Sequence, residues 1–486
     1  MRPITLELNK KSKDPLYIQL YEYLKKEIAE GGIAEGERLP SLRKMAEELG
    51  ISITTAEMAY SQLLVEGYVE SRPQSGYYAL KVGSGPARSA GPGPAGLGES
   101  VELSAGQEPR YRYDLASFNF VKWKKCMSAV LNDWPDRLLF ESDPQGELAL
   151  RQQISRYVFS SRGVDCRPED IVIAAGTQQL TNHLARILRN MDIGHVALED
   201  PGYLPVQNIF HDRGFTITKI PVAQDGIRIE KLPVNVPSAV YVCPSNQFPT
   251  GAVMPIGRRY ELLRWARENQ SIILEDDYDS ELRYFGKPVS ALQGLDESGE
   301  CVVYLGSFSS TLFPAIKISY MVLPHRMAEI FQSFKGGYDQ TCSKEEQLAL
   351  ALFMERGYYR TGIRRMRSLY ASKLQACIAA FRRWAPNLVV PLNTHSGVNL
   401  ILRVLTGGMS CAELGAGTLG NKAPADLCRL AADLRLQVLP MENLSEEAEG
   451  ERTASDRSFT LIFYYNQIPL DEIDDAIRDM IESWCS

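Results

Sequence analysis

The sequence predicts a multidomain protein: a winged helix-turn-helix over residues 1–80, then an α/β body whose last part turns into a smaller α+β domain. Three observations carry that reading. Residues 83–98, GSGPARSAGPGPAGLG, hold almost nothing able to nucleate a core and split the chain in two. Ahead of the split, helical periodicity gives way to two short strands around a turn. Behind it, short apolar runs alternate with helical stretches, as in a sheet of mostly parallel strands buried on both faces.

In the first part, Asp14-Pro15 reads as a helix start, a capping side chain ahead of a proline at the first helical position. Tyr17, Leu20, Tyr21, Leu24 and Ile28 follow on one face, and Gly31-Gly32 ends the run. Pro40-Ser41 opens a second helix with Leu42, Met45, Ala46 and Leu49 inward and Gly50 as its stop. Ser52 caps a third, which runs to Glu66 with Ala56, Ala59, Leu63 and Leu64 inward. Residues 68–71 and 77–80 read as strands around Pro73-Gln74-Ser75-Gly76. Two short helices, a tight turn and a hairpin describe a winged helix-turn-helix or a small module that binds protein. Periodicity alone leaves the two even.

Residues 81–111 are expected to be a flexible Gly/Pro-rich tether with an r.m.s. span of roughly 30 Å. Residues 112–385 form the expected large domain, with strands at 171–175, 195–199, 239–243, 272–275, 302–305 and 318–322. Residues 386–486 form the small one, with strands at 395–403 and 458–465. The strand ends carry the chemistry. Ala175-Gly176-Thr177-Gln178 leaves a strand and opens a helix, so its free N–H groups can hold an anion. That signal is weak alone, but EDPGY at 199–203, PSNQFPTG at 244–251, EDDYDSE at 275–281 and GSFSSTLFPAIKISYMVLP at 306–324 add to it.

Composition narrows the class. No run approaches the ~18 apolar residues of a membrane span, and the start of the chain lacks a secretory apolar stretch. The 9 cysteines show no CxxC spacing and the 5 histidines are scattered, so reduced thiols, no metal site and a cytoplasmic location are expected. Net charge is −7, and residues 1–80 carry ten Lys and Arg against twelve Asp and Glu. Positive charge for nucleic acid must therefore be local.

The stretch LYIQLYEYLKKEIAEGGIAEGERLPSLRKMAEELGISITTAEMAYSQLLVEGYVESRPQSGYYAL resembles the DNA-binding domain of the GntR family. The resemblance implies that the third helix lies in the major groove of double-stranded operator DNA, with the Pro73–Gly76 turn as the wing. Arg43, Ser52, Thr54, Thr55, Arg72, Gln74 and Ser75 are then the candidate contacts: guanidinium groups for phosphate or guanine, hydroxyls for backbone or either base type. Ser52 has a plain role as a helix cap beside that one. The family usually carries arginine after this serine, and here Ile53 stands there.

The body's loops, with DPQGELALRQQI and RGVDCRPEDIVIAAGTQ, resemble the fold-type I, pyridoxal-phosphate-transferase-like body of the MocR-type subfamily of GntR regulators. The resemblance implies a pyridoxal 5′-phosphate pocket where these loops converge. It assigns Gly176, Thr177, Gln178, Ser307 and Lys317 to the phosphate and Tyr278 to the neighbourhood of the ring, and adds Tyr203, Asn246 and Ser309 to the cofactor-binding set. Asp276 matches the partner of the pyridine nitrogen, although Asp277 beside it competes for that role. Lys317 stands in for a usual arginine. The lysine that the family joins to the cofactor follows Ser-Phe-Ser, and here that position is Ser310. A hydroxyl cannot condense with an aldehyde. The family's two carboxylate-binding arginines correspond to Pro205 and Gln467.

These departures predict a DNA-binding transcription regulator whose degenerate aminotransferase-like domain dimerises and senses a small-molecule effector, without transaminase activity. The cofactor is then held non-covalently or not at all, and the resemblance favours a domain-swapped, head-to-tail homodimer. The competing readings are an active aminotransferase with a regulatory appendage and a scaffold protein.

Overall fold

The computed structural model describes residues 6, 8–9, 14–72, 75–80, 114, 116–284, 290–392, 394, 397–405, 419, 422–441 and 458–486. The expected tether at 81–111 and the turn residue Gln74 lie outside these. The chain separates into two compact units, Met1–Gly106 and Gln107–Ser486.

The first unit has three helices, α1 (Leu16–Ala29), α2 (Leu42–Leu49) and α3 (Ile53–Val65), and a hairpin of β1 (Val69–Arg72) with β2 (Gly76–Ala79). Local chemistry sets most of this. Ser41 accepts from the Lys44 amide at 3.3 Å and Ser52 from the Thr55 amide at 3.0 Å, satisfying donors that each helix start leaves open. Gly50 closes α2 at φ 61, where a Cβ would be strained. The hairpin pairs antiparallel from Val69↔Ala79 to Arg72↔Gly76.

Two expectations change. Pro15 is the cap of α1 and not its first helical residue. Leu64 is 40% exposed, and Tyr60 takes the inward place. Ala56, Ala59, Tyr60 and Leu63 follow the 3.6-residue stripe, and Leu64 lies one step past it. The Tyr60 ring meets Tyr77 edge-on at 5.1 Å, and its hydroxyl donates to the Pro40 carbonyl at 3.0 Å.

The second unit opens with α4 (Phe120–Asp133) and α5 (Leu148–Arg162) and then builds an eight-stranded sheet. In chain order its elements are β3 (Ile171–Ala175), α6 (Thr177–Asn190), β4 (His195–Asp200), α7 (Leu204–Asp212), β5 (Thr216–Ala223), β6 (Gly226–Ile227), β7 (Ala239–Val242), α8 (Ile256–Glu268), β8 (Ile272–Asp276), α9 (Leu292–Leu295), β9 (Val302–Ser307) and β10 (Ile318–Val322). The sheet order is β3-β10-β9-β8-β7-β4-β5-β6. β4, β5, β7, β8 and β9 pair in parallel, while β10 runs antiparallel to both β3 and β9. β5 and β6 went unread because partial exposure dilutes the apolar pattern of β5 and because β6, though buried, is only two residues long.

Helices α10 (His325–Phe334) and α11 (Lys344–Glu355) follow, and then the 27-residue α12 (Tyr358–Trp384). The chain ends in a four-stranded antiparallel sheet, β11 (Val389–Leu392), β12 (Asn399–Leu405), β13 (Val438–Pro440) and β14 (Ser458–Tyr464), with α13 (Pro424–Asp433) and α14 (Ile473–Cys485). The strand expected from residue 395 begins at Asn399, and His395 lies outside the described residues. Met366, Tyr370, Leu374, Cys377 and Phe381 of α12 pack into the core of this last sheet. The packing thus changes partners within α12, not at residue 385. Seven cysteines are free thiols, but Cys485 is disulfide-bonded, a pairing that scattered spacing hides. No helix among the described residues is long and apolar enough to cross a membrane.

Candidate functional site

A cavity of about 450 Å³ opens where the strands of the large sheet end. Ala175 ends β3, Asp276 ends β8, Ser307 ends β9, Cys243 follows β7, and Tyr203 follows β4 by three residues. The ends of parallel strands leave a crevice there because the following helices turn away to the sheet's faces. The expected Gly176, Thr177, Gln178, Tyr203, Asp276, Tyr278, Ser307, Ser309 and Lys317 all line it, and so does Ser310. Asn246 joins them at one remove, its side-chain amide donating to the Tyr278 hydroxyl at 3.4 Å.

One end is built for an anion. Gly176 stands at φ 85 ahead of α6 with no side chain to cap the helix, so amide donors at this terminus stay open. The Ser319 hydroxyl donates to Ser307 Oγ at 3.0 Å, and Ser307 Oγ accepts the Ser309 amide at 3.3 Å. Lys317 is exposed and is the sole lysine among the lining residues.

The other end is acidic and aromatic. Asp276 takes a short hydrogen bond from the Tyr241 hydroxyl, and burial pushes its carboxyl up to about 6. Asp277 is turned away from the cavity. Arg162 grips it with Nε at 2.6 Å and Nη2 at 2.9 Å, and the hydroxyls of Tyr304 and Ser280 donate to it at 2.7 and 2.9 Å. The competition between the two carboxylates is therefore settled by Arg162. Tyr203, Tyr278, Phe248 and Tyr464 supply aromatic surface.

Near Ser310, burial raises the Asp279 carboxyl to about 6. Asp279 is 4% exposed, and its Oδ1 has no hydrogen-bond partner. Pro205 sits in the first turn of α7 and Gln467 is exposed; neither lines the cavity. Reading the sequence missed Tyr241, Arg162, Cys243, Phe248 and Tyr464. Tyr241 was hidden inside an apolar strand, and Tyr464 comes from the far end of the chain.

On the first unit, Arg43, Ser52 and Thr54 are exposed and Thr55 is half-buried, around the start of α3. The hydroxyls of Ser52 and Thr55 bond each other at 2.8 Å. Arg72 is engaged: its Nε donates to Glu70 at 2.7 Å and its guanidinium lies 4.3 Å from the centre of the Tyr78 ring. Ser75 Oγ lies 2.6 Å from the Tyr78 hydroxyl. Ile53 is 49% exposed at the first position of α3, a helix that carries no Lys or Arg.

Residues 16–78 match the family of bacterial regulatory proteins of the gntR type, and residues 117–385 match aminotransferase class I and II. The chain is 40% identical over 405 residues to the uncharacterized HTH-type transcriptional regulator YdeL of Bacillus subtilis, covering 82% of this chain and 86% of that one. It is 34% identical over 418 residues to the probable rhizopine catabolism regulatory protein MocR of Rhizobium meliloti, covering 82% and 83%. The chain belongs to the MocR-type subfamily of GntR regulators. It is thus a helix-turn-helix regulator by family, with an aminotransferase-like body. The body of this MocR-type chain has the fold of the Pyrococcus horikoshii kynurenine aminotransferase, with a TM-score of 0.62 at 22% identity over 77% of this chain and 89% of that one.

Proposed function

We propose that this MocR-type chain regulates transcription through its helix-turn-helix, and that its body dimerises and binds a small-molecule effector without transaminating it. The observation that supports this above others is Ser310, a hydroxyl on the cavity wall where the family resemblance calls for an amine. Neither Pro205 nor Gln467 brings a cation to the cavity, so the two-bond grip on an amino-acid carboxylate is missing as well.

The remaining residues fit pyridoxal 5′-phosphate as a non-covalent guest. Its phosphate would sit on the open amides of Thr177 and Gln178, beside Gly176, with Ser307, Ser309 and Lys317. Asp276 would accept from its protonated ring nitrogen, and Asn246 and Tyr278 would meet the ring's edge. When bound, the group would supply an aromatic ring able to draw off electrons. Asp276 would hold the ring nitrogen's proton, with Tyr241 donating to that carboxylate to keep it in place. Arg43, Ser52, Thr54, Thr55, Arg72 and Ser75 remain the proposed DNA contacts, with Arg72 first having to leave Glu70. The family resemblance favours a head-to-tail, domain-swapped homodimer.

Incubation of the full chain with pyridoxal 5′-phosphate, borohydride reduction and peptide mass mapping tests the reading. No lysine in the body should carry an adduct, and Ser310→Lys should acquire one at position 310. An adduct on Lys317 in the unaltered chain, with turnover of any amino acid, would establish the aminotransferase reading instead.

A further inference from the structure

A second cavity, of about 320 Å³, lies against α6 and shares no lining residue with the one at the strand ends. Its wall carries three guanidinium groups, Arg186 and Arg189 from α6 and Arg213 from the C-terminal end of α7, and no carboxylate. Asp212 and Asp339, the acids beside Arg213 and Tyr338 in sequence, are not part of it. Neutral groups hold each arginine. Arg186 Nη1 donates to the Tyr338 hydroxyl at 2.8 Å, and its guanidinium lies 4.2 Å from the centre of the Phe334 ring. Arg213 donates to Asn182 Oδ1 from Nε at 3.1 Å and from Nη2 at 2.8 Å. Arg189 Nη2 donates to the Arg213 and Gly214 carbonyls at 3.2 and 2.5 Å. These contacts fix where the cations stand and leave their charge unbalanced, although like charges three residues apart on a helix repel.

His183 completes the wall. It is 6% exposed and packs edge-on against Phe331 and Tyr338, and its ring nitrogens make no hydrogen bond among the described residues. An imidazole buried without a partner is unfavourable, and one that faces a cavity is open to a ligand. Burial and the nearby Arg186 hold its ring below the usual histidine range, so at neutral pH it is uncharged and keeps one N–H to donate.

We propose that this cavity is a second ligand site of the body and that it takes a small phosphorylated molecule, gripped by Arg186, Arg189 and Arg213 with His183 beneath. Three guanidinium forks offer more donors than the two oxygens of a carboxylate can accept, whereas a phosphate monoester brings three oxygens and up to two charges. The volume exceeds that of a bare phosphate ion, which leaves room for the group that the phosphate is attached to. Because the arginines are already held in place, little side-chain freedom is lost on binding.

Hydrogen exchange read by mass spectrometry on the full chain tests this, with inorganic phosphate as the probe and sodium chloride and sodium acetate at matched ionic strength as controls. Phosphate should slow exchange around 182–189 and 213–215, and neither control should match it. Arg186→Gln and Arg213→Gln should each raise the phosphate concentration for half-maximal protection about tenfold. Both side chains are exposed, so their replacement leaves the core intact. Equal protection by chloride or acetate, or protection that survives both substitutions, would overturn the proposal. So would protection confined to residues 176–178, which would place phosphate in the strand-end cavity alone. Protection that grows with protein concentration without phosphate would assign the arginines to a second copy of the chain, and stronger protection by a random-sequence DNA duplex would assign them to nucleic acid; either overturns it. None of these results touches the non-catalytic reading of the strand-end cavity, which falls only to a lysine adduct with turnover.

Discussion

The two units of this chain solve the same problem, presenting polar groups on a stable frame, in opposite ways. In the helix-turn-helix the groups sit within a few residues of what orients them. Ser52 caps the helix that carries Thr54 and Thr55, and Arg72 leans on Tyr78 across one hairpin. In the body, the cavity gathers residues 175–178, 203, 243, 248, 276, 278, 307, 309, 310, 317, 319 and 464. Its orientation depends on partners far away in sequence: Arg162 holds Asp277 across 115 residues, and Tyr241 holds Asp276 across 35. A local device fails gently and alone, whereas a distributed one fails as a unit when a buried charge loses its partner.

The sharpest way to break that contrast is Arg162→Ala. It strands Asp277 as a buried carboxylate, so the body's calorimetric transition in the full chain should fall by about 3–5 kcal/mol. The helix-turn-helix transition should stay where it was. Equal shifts in both would show that the units do not stand on separate foundations.

A smaller effect comes from Glu199, buried beneath the cavity at the end of β4. Its Oε2 accepts the Cys243 amide and the Gln247 side chain at 3.2 Å each. Burial raises its carboxyl from 4.5 to about 8. Because the folded value lies above the unfolded one, the contribution is full below about 4.5 and is lost as pH climbs through about 8. The body's melting temperature should therefore fall between about pH 6.5 and 9, by the equivalent of roughly 2 kcal/mol. Glu199→Gln should flatten that slope, with the first unit unaffected. A slope unchanged in the Gln variant would assign the pH response elsewhere.

The smallest effect belongs to the exposed surface. Arg43→Gln should leave both melting transitions unmoved and weaken binding to the chain's own upstream DNA about fivefold, with the salt slope reduced by about one. An unchanged slope would remove Arg43 from the contact set and leave α3, with its exposed Ile53, to act by shape and apolar contact.

Both units' architectures were legible in advance because their signals are short-range. Ser41, Gly50 and Ser52 announce helix ends from adjacent residues, and six of the large sheet's strands announce themselves as apolar runs. Half-exposed β5 and the two-residue β6 gave no such run, and Leu64 was placed inward because counting from Leu63 alone cannot separate neighbours on a helix face.

The sequence by itself determined the two-unit organisation, the strand-end loops and the hydroxyl at position 310, since each is written in residues close together. Only the tertiary structure decided which of Asp276 and Asp277 faces the cavity, that Tyr241 and Tyr464 belong to it, and that Asp279 backs Ser310 with an oxygen unmet. The physical reason is the range of the forces. Caps and periodic faces act within one or two turns of chain, whereas burial of a charge is defined by every segment that folds around it.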